Sequence, residues 1–201
     1  MIGIIDYNVG NIGSLANILK HIQCDFQIVN SIDTLLDCDK LILPGVGHFN
    51  TSINSLRNSA YFSELNNAVL TKKVPTLGIC LGMQMFADFS EEGTDKGLGW
   101  IPGNVKMFTP DINLSIPHTG WNRVQMKSSH NVLKEFEHTE DFYFTHKFYF
   151  ICDNESNVLS ATNYGVNFHS MIANENIIGT QFHPEKSGEA GITLMKSFVN
   201  L

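Results

Sequence analysis

Apolar positions follow two rhythms in the first half of this chain. Short continuous runs, "IGII" at 2–5, "FQIV" at 26–29, "KLIL" at 40–43 and "TLGI" at 76–79, read as buried strands. Between them Ile12, Leu15, Leu19 and Ile22 recur at helical spacing, as do Ile53 with Leu56, and Phe62 and Leu65 with Val69. Runs that alternate with helical stretches predict βαβ units and a parallel sheet covered on both faces. From about 100 to 170 the character changes to aromatic-rich runs such as "DFYFTHKFYFIC", punctuated by Asn, Asp and Gly, which predict antiparallel strands. A last run, "NIIGTQF" at 176–182, leads into "HPEKSG" and an amphipathic segment with Ile192, Met195, Phe198 and Val199 on one face. The expected fold is α/β: a mostly parallel central sheet with helices on both faces, plus a smaller antiparallel portion. With no repeat, low-complexity tract or linker in 201 residues, one domain spanning 1–201 is expected.

Composition narrows the function classes. The chain is 43% hydrophobic and 16% charged, enough apolar content for a continuous core. Thirteen basic against 20 acidic residues leave a net charge of −7, and without a basic patch this field repels phosphate backbones, so no nucleic-acid partner is expected. The start, "MIGIIDYNVGN", lacks a basic leader and a small-residue cleavage site. Nowhere do about 18 apolar residues run together, the length a spanning helix needs. The expectation is a soluble cytoplasmic protein with no membrane association. Cys24, Cys38, Cys80 and Cys152 are irregularly spaced and no two lie two residues apart, so reduced thiols are expected and neither a metal site nor a cofactor.

One cysteine stands out by its neighbours. In "VPTLGICLGMQMFA" a strand over 74–79 passes to a helix from about 81, with Cys80 at the corner between Gly78 and Gly82. A strand that turns directly into a helix strains the corner residue, and the positions two before and two after it must be nearly free of side chain. GxCxG is thus the thiol form of the nucleophile elbow GxSxG. Unpaired N–H groups and the positive dipole end at a helix start favour thiolate over thiol at Cys80. The N–H of Leu81 would face an oxyanion formed on an acyl group that Cys80 attacks. The same residues also read as a buried cysteine in a glycine-rich turn, and the motif alone does not decide between the two.

"GTQFHPEKSG" at 179–188 supplies what a thiolate nucleophile needs: a histidine to carry protons and a third group to fix its tautomer. His183 precedes Pro184, which pushes it toward extended backbone, so it is expected at the end of the strand. In an extended segment positions i and i+2 project to the same side, which would bring the Glu185 carboxylate to the imidazole. Both His183 and Cys80 then lie beyond the carboxyl ends of strands, where open α/β sheets bind ligands. Glu185 also reads as a solvated charge at the start of the last helix.

Cys80 in "GICLGMQ" with His183 and Glu185 in "QFHPEKS" resembles the class I, or triad, glutamine amidotransferases. "IIDYNVGN" at the start, "LPGVGHF" at 43–49, "SEEG" at 90–93, "GLGWIPGNV" at 97–105 and "IPHTGWN" at 116–122 are similar, in order and over essentially the whole chain, to the glutaminase subunits of imidazole glycerol phosphate synthases. That resemblance implies hydrolysis of L-glutamine to glutamate and ammonia, with Cys80 as nucleophile, His183 as base and Glu185 as its orienter. It places the rest of the oxyanion hole in Pro44 to Gly47, giving Val46 and Gly47 beside Leu81. It gives Gly45, Gln84 and His146 to the substrate, and His118, Trp121 and Asn122 to the interface with a partner. The implied partner is a cyclase subunit with a (βα)8 barrel, in a heterodimer. The ammonia would pass to it for imidazole glycerol phosphate and aminoimidazole carboxamide ribotide.

Two positions depart from the family pattern. Thr119 stands where methionine is usual, and "THKF" at 145–148 stands for "VHSY", which puts Lys147 in place of a small polar residue beside the glutamine pocket. The triad is untouched. The alternative kept open by these departures is a second copy of this glutaminase that supplies ammonia for amidination of a surface-polysaccharide sugar.

Overall fold

The computed structural model describes residues 1–109 and 114–201. Each short apolar run becomes a strand, and each helical stretch packs its apolar stripe on the sheet. The first half runs β1 (Ile2–Ile5), α1 (Ile12–His21), β2 (Phe26–Val29), α2 (Ile32–Leu36), β3 (Lys40–Leu43), α3 (Phe49–Arg57), α4 (Phe62–Asn66), β4 (Thr76–Ile79) and α5 (Leu81–Gln84). Local chemistry sets several boundaries. The Asn11 side chain accepts from Ser14 N to start α1, and Ser31 with Thr34 forms a reciprocal capping box on α2.

The second half gives β5 (Phe89–Ser90), β6 (Gly103–Met107), β7 (His118–Met126), β8 (Thr139–His146), β9 (Phe148–Cys152), β10 (Val158–Tyr164), β11 (Val166–Asn174), β12 (Ile177–Thr180) and α6 (Gly188–Val199). Among the described residues nine strands form one sheet in the order β2-β1-β3-β4-β12-β11-β10-β7-β8. The strands from β2 to β12 in that order pair in parallel. From β12 onward each pairing is antiparallel. A second sheet, β5-β6-β9, has three strands.

The antiparallel portion is the smaller part of the main sheet by number of strands, as expected, but it is continuous with the parallel core. It extends the same sheet, because β11 pairs with β12 and carries the ladder past the parallel core. α2 and β5 were not expected, since "IDTLL" and "FS" are too short to show a period. Helices do cover both faces. Phe49, Ile53, Leu56 and Leu65 fill one layer; Leu15, Leu19, Leu194 and Phe198 fill the other. Among the described residues no helix is long and apolar enough to cross a membrane.

Candidate active site

The strand β4 and the turn α5 meet at Cys80, whose φ of 54° and ψ of −109° lie where L-residues rarely go. The corner is held by Cys80 N, which donates to Thr180 O of β12 at 2.7 Å. The flanking glycines are required by close approach, in part by the passing of the two backbones at the corner, since a Cβ on Gly78 would sit 2.9 Å from the backbone carbon of Gly82. A Cβ on Gly82 would sit 2.0 Å from Leu43 O at the end of β3, and one on Gly78 would sit 2.4 Å from the Phe86 ring. The helix expected after the corner is a single turn of four residues. Any field that favours an anion at Cys80 thus comes from the N–H groups of that turn and not from a long helix dipole.

His183 follows β12 with extended backbone, φ −102° and ψ 96°, as its place before Pro184 predicts. Its N–H donates to Tyr143 O of β8 at 2.9 Å. Glu185 does not reach the imidazole along an extended segment. Pro184–Lys186 is a 3-10 turn, and this fold brings Glu185 Oε1 to 2.8 Å from His183 Nδ1, which donates to it. Ser187 holds the turn: its hydroxyl donates to His183 O and accepts from Tyr143 N. Burial alone would push the His183 imidazole down, but the Cys80 sulfur and the Glu185 carboxylate overcome this and push it up to about 10. His183 Nε2 has no hydrogen-bond partner and neither has Glu185 Oε2. Nε2 is therefore available for proton exchange at the sulfur.

Cys80 and His183 line one cavity of about 390 Å3, together with Val46, Gly47, Leu81, Gln84 and His146. A larger cavity of about 580 Å3, on the outer side of β7 and β10, holds none of these residues. The structure relocates several predicted residues. Gly45 does not line the cavity; it packs against Gly82 N at the back of the elbow, where a Cβ would come within 2.3 Å. Gln84 is buried, and its Nε2 donates to Phe148 O and Gln181 Oε1. His146 reaches the cavity wall with both ring nitrogens engaged, Nδ1 on Phe148 O at 2.7 Å and Nε2 on His118 Nδ1 at 2.9 Å. Neither nitrogen is left for a substrate.

His118 is the clearest displacement. It is buried and stacked on Phe144 and Tyr164, so it cannot lie on an interface surface. Asn122 is half-buried and donates to Asn163 O. Of the three residues expected at an interface, only Trp121 is widely exposed, at 58%.

Other residues reach the site, of which the sequence singles out only Lys147 individually. Tyr7 donates to Pro44 O and so fixes the start of the loop carrying Val46 and Gly47. Glu92, in the "SEEG" block, lines the cavity and accepts from Phe49 N. Lys147 and Lys186 add two cations to the same wall.

A strained thiol at a strand-to-helix corner, a buried histidine pushed up by that sulfur and by a carboxylate, and a shared cavity are the parts a cysteine hydrolase on an α/β sheet uses. The chain belongs to the class-I glutamine amidotransferase family, whose model matches residues 3–200. It is 44% identical over the full length of both chains to the imidazole glycerol phosphate synthase subunit HisH of Leptospira borgpetersenii. It is 43% identical to the protein of the same name in Bdellovibrio bacteriovorus, covering 98% of each chain. PurLQS from Thermotoga maritima shares the fold, with a TM-score of 0.77 at 19% identity over 99% of this chain and 97% of that one.

Proposed function

We propose that this chain is the glutaminase subunit of an imidazole glycerol phosphate synthase, working in the cytoplasm in histidine biosynthesis. It hydrolyses L-glutamine and hands the ammonia to a (βα)8 cyclase partner. The observation that carries this reading is the single cavity where Cys80 meets His183 backed by Glu185, in a chain similar end to end to relatives of that name.

In this reading the Cys80 thiolate attacks the side-chain amide carbon, and the oxyanion is held by N–H groups of Leu81 and of the Val46 to Gly47 segment. Gly47 has φ 92°, a conformation glycine adopts without strain, which lets that loop turn toward the substrate. The tetrahedral adduct collapses as protonated His183 delivers a proton to the leaving nitrogen, giving ammonia and a glutamyl thioester. Water, deprotonated by His183, cleaves the thioester to glutamate and regenerates Cys80. Glu92 offers a carboxylate to the substrate's α-ammonium and Lys147 a cation to its α-carboxylate. Glu185 fixes the His183 tautomer.

The test is Cys80→Ala, assayed with the partner subunit. The fold and ammonia-driven synthesis should persist while glutamate release disappears; undiminished glutamate release overturns the reading. Recovery of the natural partner by pull-down then assigns the pathway, since a cyclase-like subunit inactive on the histidine-pathway ribotide would point to amidination of a surface sugar instead.

A further inference from the structure

Besides the His183 imidazole, the Cys80 sulfur has two polar contacts among the described residues. One is Thr145 O at 4.0 Å, a carbonyl that accepts from the thiol. The other is the side-chain amide of Gln181, whose Nε2 stands 3.7 Å from the sulfur and donates to it. The two contacts suit different protonation states. A carbonyl can hold only the thiol, which has a proton to give. An amide N–H holds the anion more strongly, because hydrogen bonds with one ionised partner are about twice as strong as neutral ones.

Which end of an amide faces the sulfur matters, and here the network decides. Gln181 is completely buried, just past β12, with its N–H on Ser170 O. Gln84 Nε2 gives one hydrogen to Phe148 O at 2.8 Å, which can only accept, and the other to Gln181 Oε1 at 3.0 Å. The reversed Gln181 amide would set two N–H groups against each other at Gln84 and a carbonyl oxygen against the sulfur. Only one orientation is therefore satisfied, and in it Gln181 donates to Cys80.

We infer that Gln181 is a positioning residue for the nucleophile, holding the Cys80 sulfur as an anion through its amide N–H, with Gln84 fixing that amide in the donating orientation. The inference rests on the reading of Cys80 as nucleophile. It gives Gln84 a role besides any contact with substrate: a relay that orders the second amide. It also supplies the sulfur with a donor besides the His183 imidazole.

The test is the rate at which Cys80 in the full-length chain reacts with iodoacetamide as a function of pH, with the labelled site read by mass spectrometry. The titratable and charged groups around the sulfur are His183 with Glu185 behind it, Tyr7, and His146, Glu92, Lys147 and Lys186 on the cavity wall. None is altered in Gln181→Met, so a displaced profile belongs to the lost amide. In that variant the inflection should move to higher pH and reactivity at neutral pH should fall about tenfold. Gln84→Met should act in the same direction and by less. A folded Gln181→Met chain with an unchanged profile overturns the inference.

Should the variant fail to fold, the unsubstituted chain answers in its place. The Gln181 side-chain amide signals of a nitrogen-15-labelled sample should shift with the same midpoint as the Cys80 reactivity, and signals indifferent to both pH and alkylation overturn the inference. Absence of preferential labelling of Cys80 in the wild type would remove the nucleophile reading itself. Normal wild-type labelling with an unaffected Gln181→Met removes only the role of Gln181.

Discussion

At the scale of single residues, the site divides into side chains announced by a local pattern and side chains brought in by the fold. Cys80 was legible because a corner residue between glycines is a constraint within five positions, and His183 because Pro184 fixes its backbone. Gln181, Ser187, Tyr7 and Glu92 obey no such short-range rule. Their roles come from partners 37 to 101 residues away, such as Pro44 O for Tyr7 and Cys80 Sγ for Gln181. Glu185 was found by the right spacing but for the wrong geometry, since a 3-10 turn delivers it to His183. Its buried 2.8 Å contact with Nδ1 leads to a sharp expectation for Glu185→Gln. The neutral amide keeps the shape but gives up the charge that helps to raise His183, so kcat for glutamine hydrolysis in the complex should fall on the order of 10²-fold or more with KM little changed. Steady-state kinetics on the purified complex measure both.

At the scale of elements, the apolar runs located the parallel strands to within a residue or two, because the inner ones, β1, β3 and β4, are buried almost throughout. Their order in the sheet, and the way β11 extends it, depend on pairings between distant segments that no periodicity encodes. Two expectations belong here. The end of β3 lies against the start of α5 so closely that Gly82→Ala must push Leu43 O aside, costing about 1–3 kcal/mol of stability or more by urea denaturation. The second concerns β7 and β8, joined across their register by His118 and His146. Burial pushes His118 down to about 4; burial first, and then neighbouring His118 and His183 against the opposing Phe148 carbonyl, push His146 down to about 3. Both stay neutral in the fold while the unfolded chain protonates them near pH 6.5. The unfolded state therefore binds more protons below that pH, and stability is lost as pH falls from about 6.5 toward 4. His118→Gln should flatten this acid limb of the stability curve by up to one proton, as measured by denaturation at a series of pH values.

At the scale of the whole molecule, what matters is where the reaction's product can go. The carboxyl ends of β3, β4 and β12 converge on the cavity, whose wall carries Val46, Pro117 and Lys186. Near that wall three large apolar side chains are exposed: Val46 at 43%, Ile116 at 36% and Trp121 at 58%. Trp121 is tied to the same region, since its ring lies 3.9 Å from the Cβ position of Gly188 and packs edge-on with Tyr143, over which Lys186 places its ammonium. An exposed tryptophan beside a catalytic mouth is costly in water and suited to an interface, where a central aromatic commonly contributes 2 kcal/mol or more, about 30-fold in affinity. Sequence alone pointed to His118, Trp121 and Asn122 together; alternation along β7 explains why they part, because His118 turns into the core and Trp121 outward. Trp121→Ala should therefore weaken association with the cyclase partner by at least about 10-fold in a titration by calorimetry. Iodoacetamide labelling of Cys80 in the isolated chain should stay as fast as in the wild type, because the indole touches none of the triad. Unchanged partner affinity in that variant would place the docking surface elsewhere on the molecule.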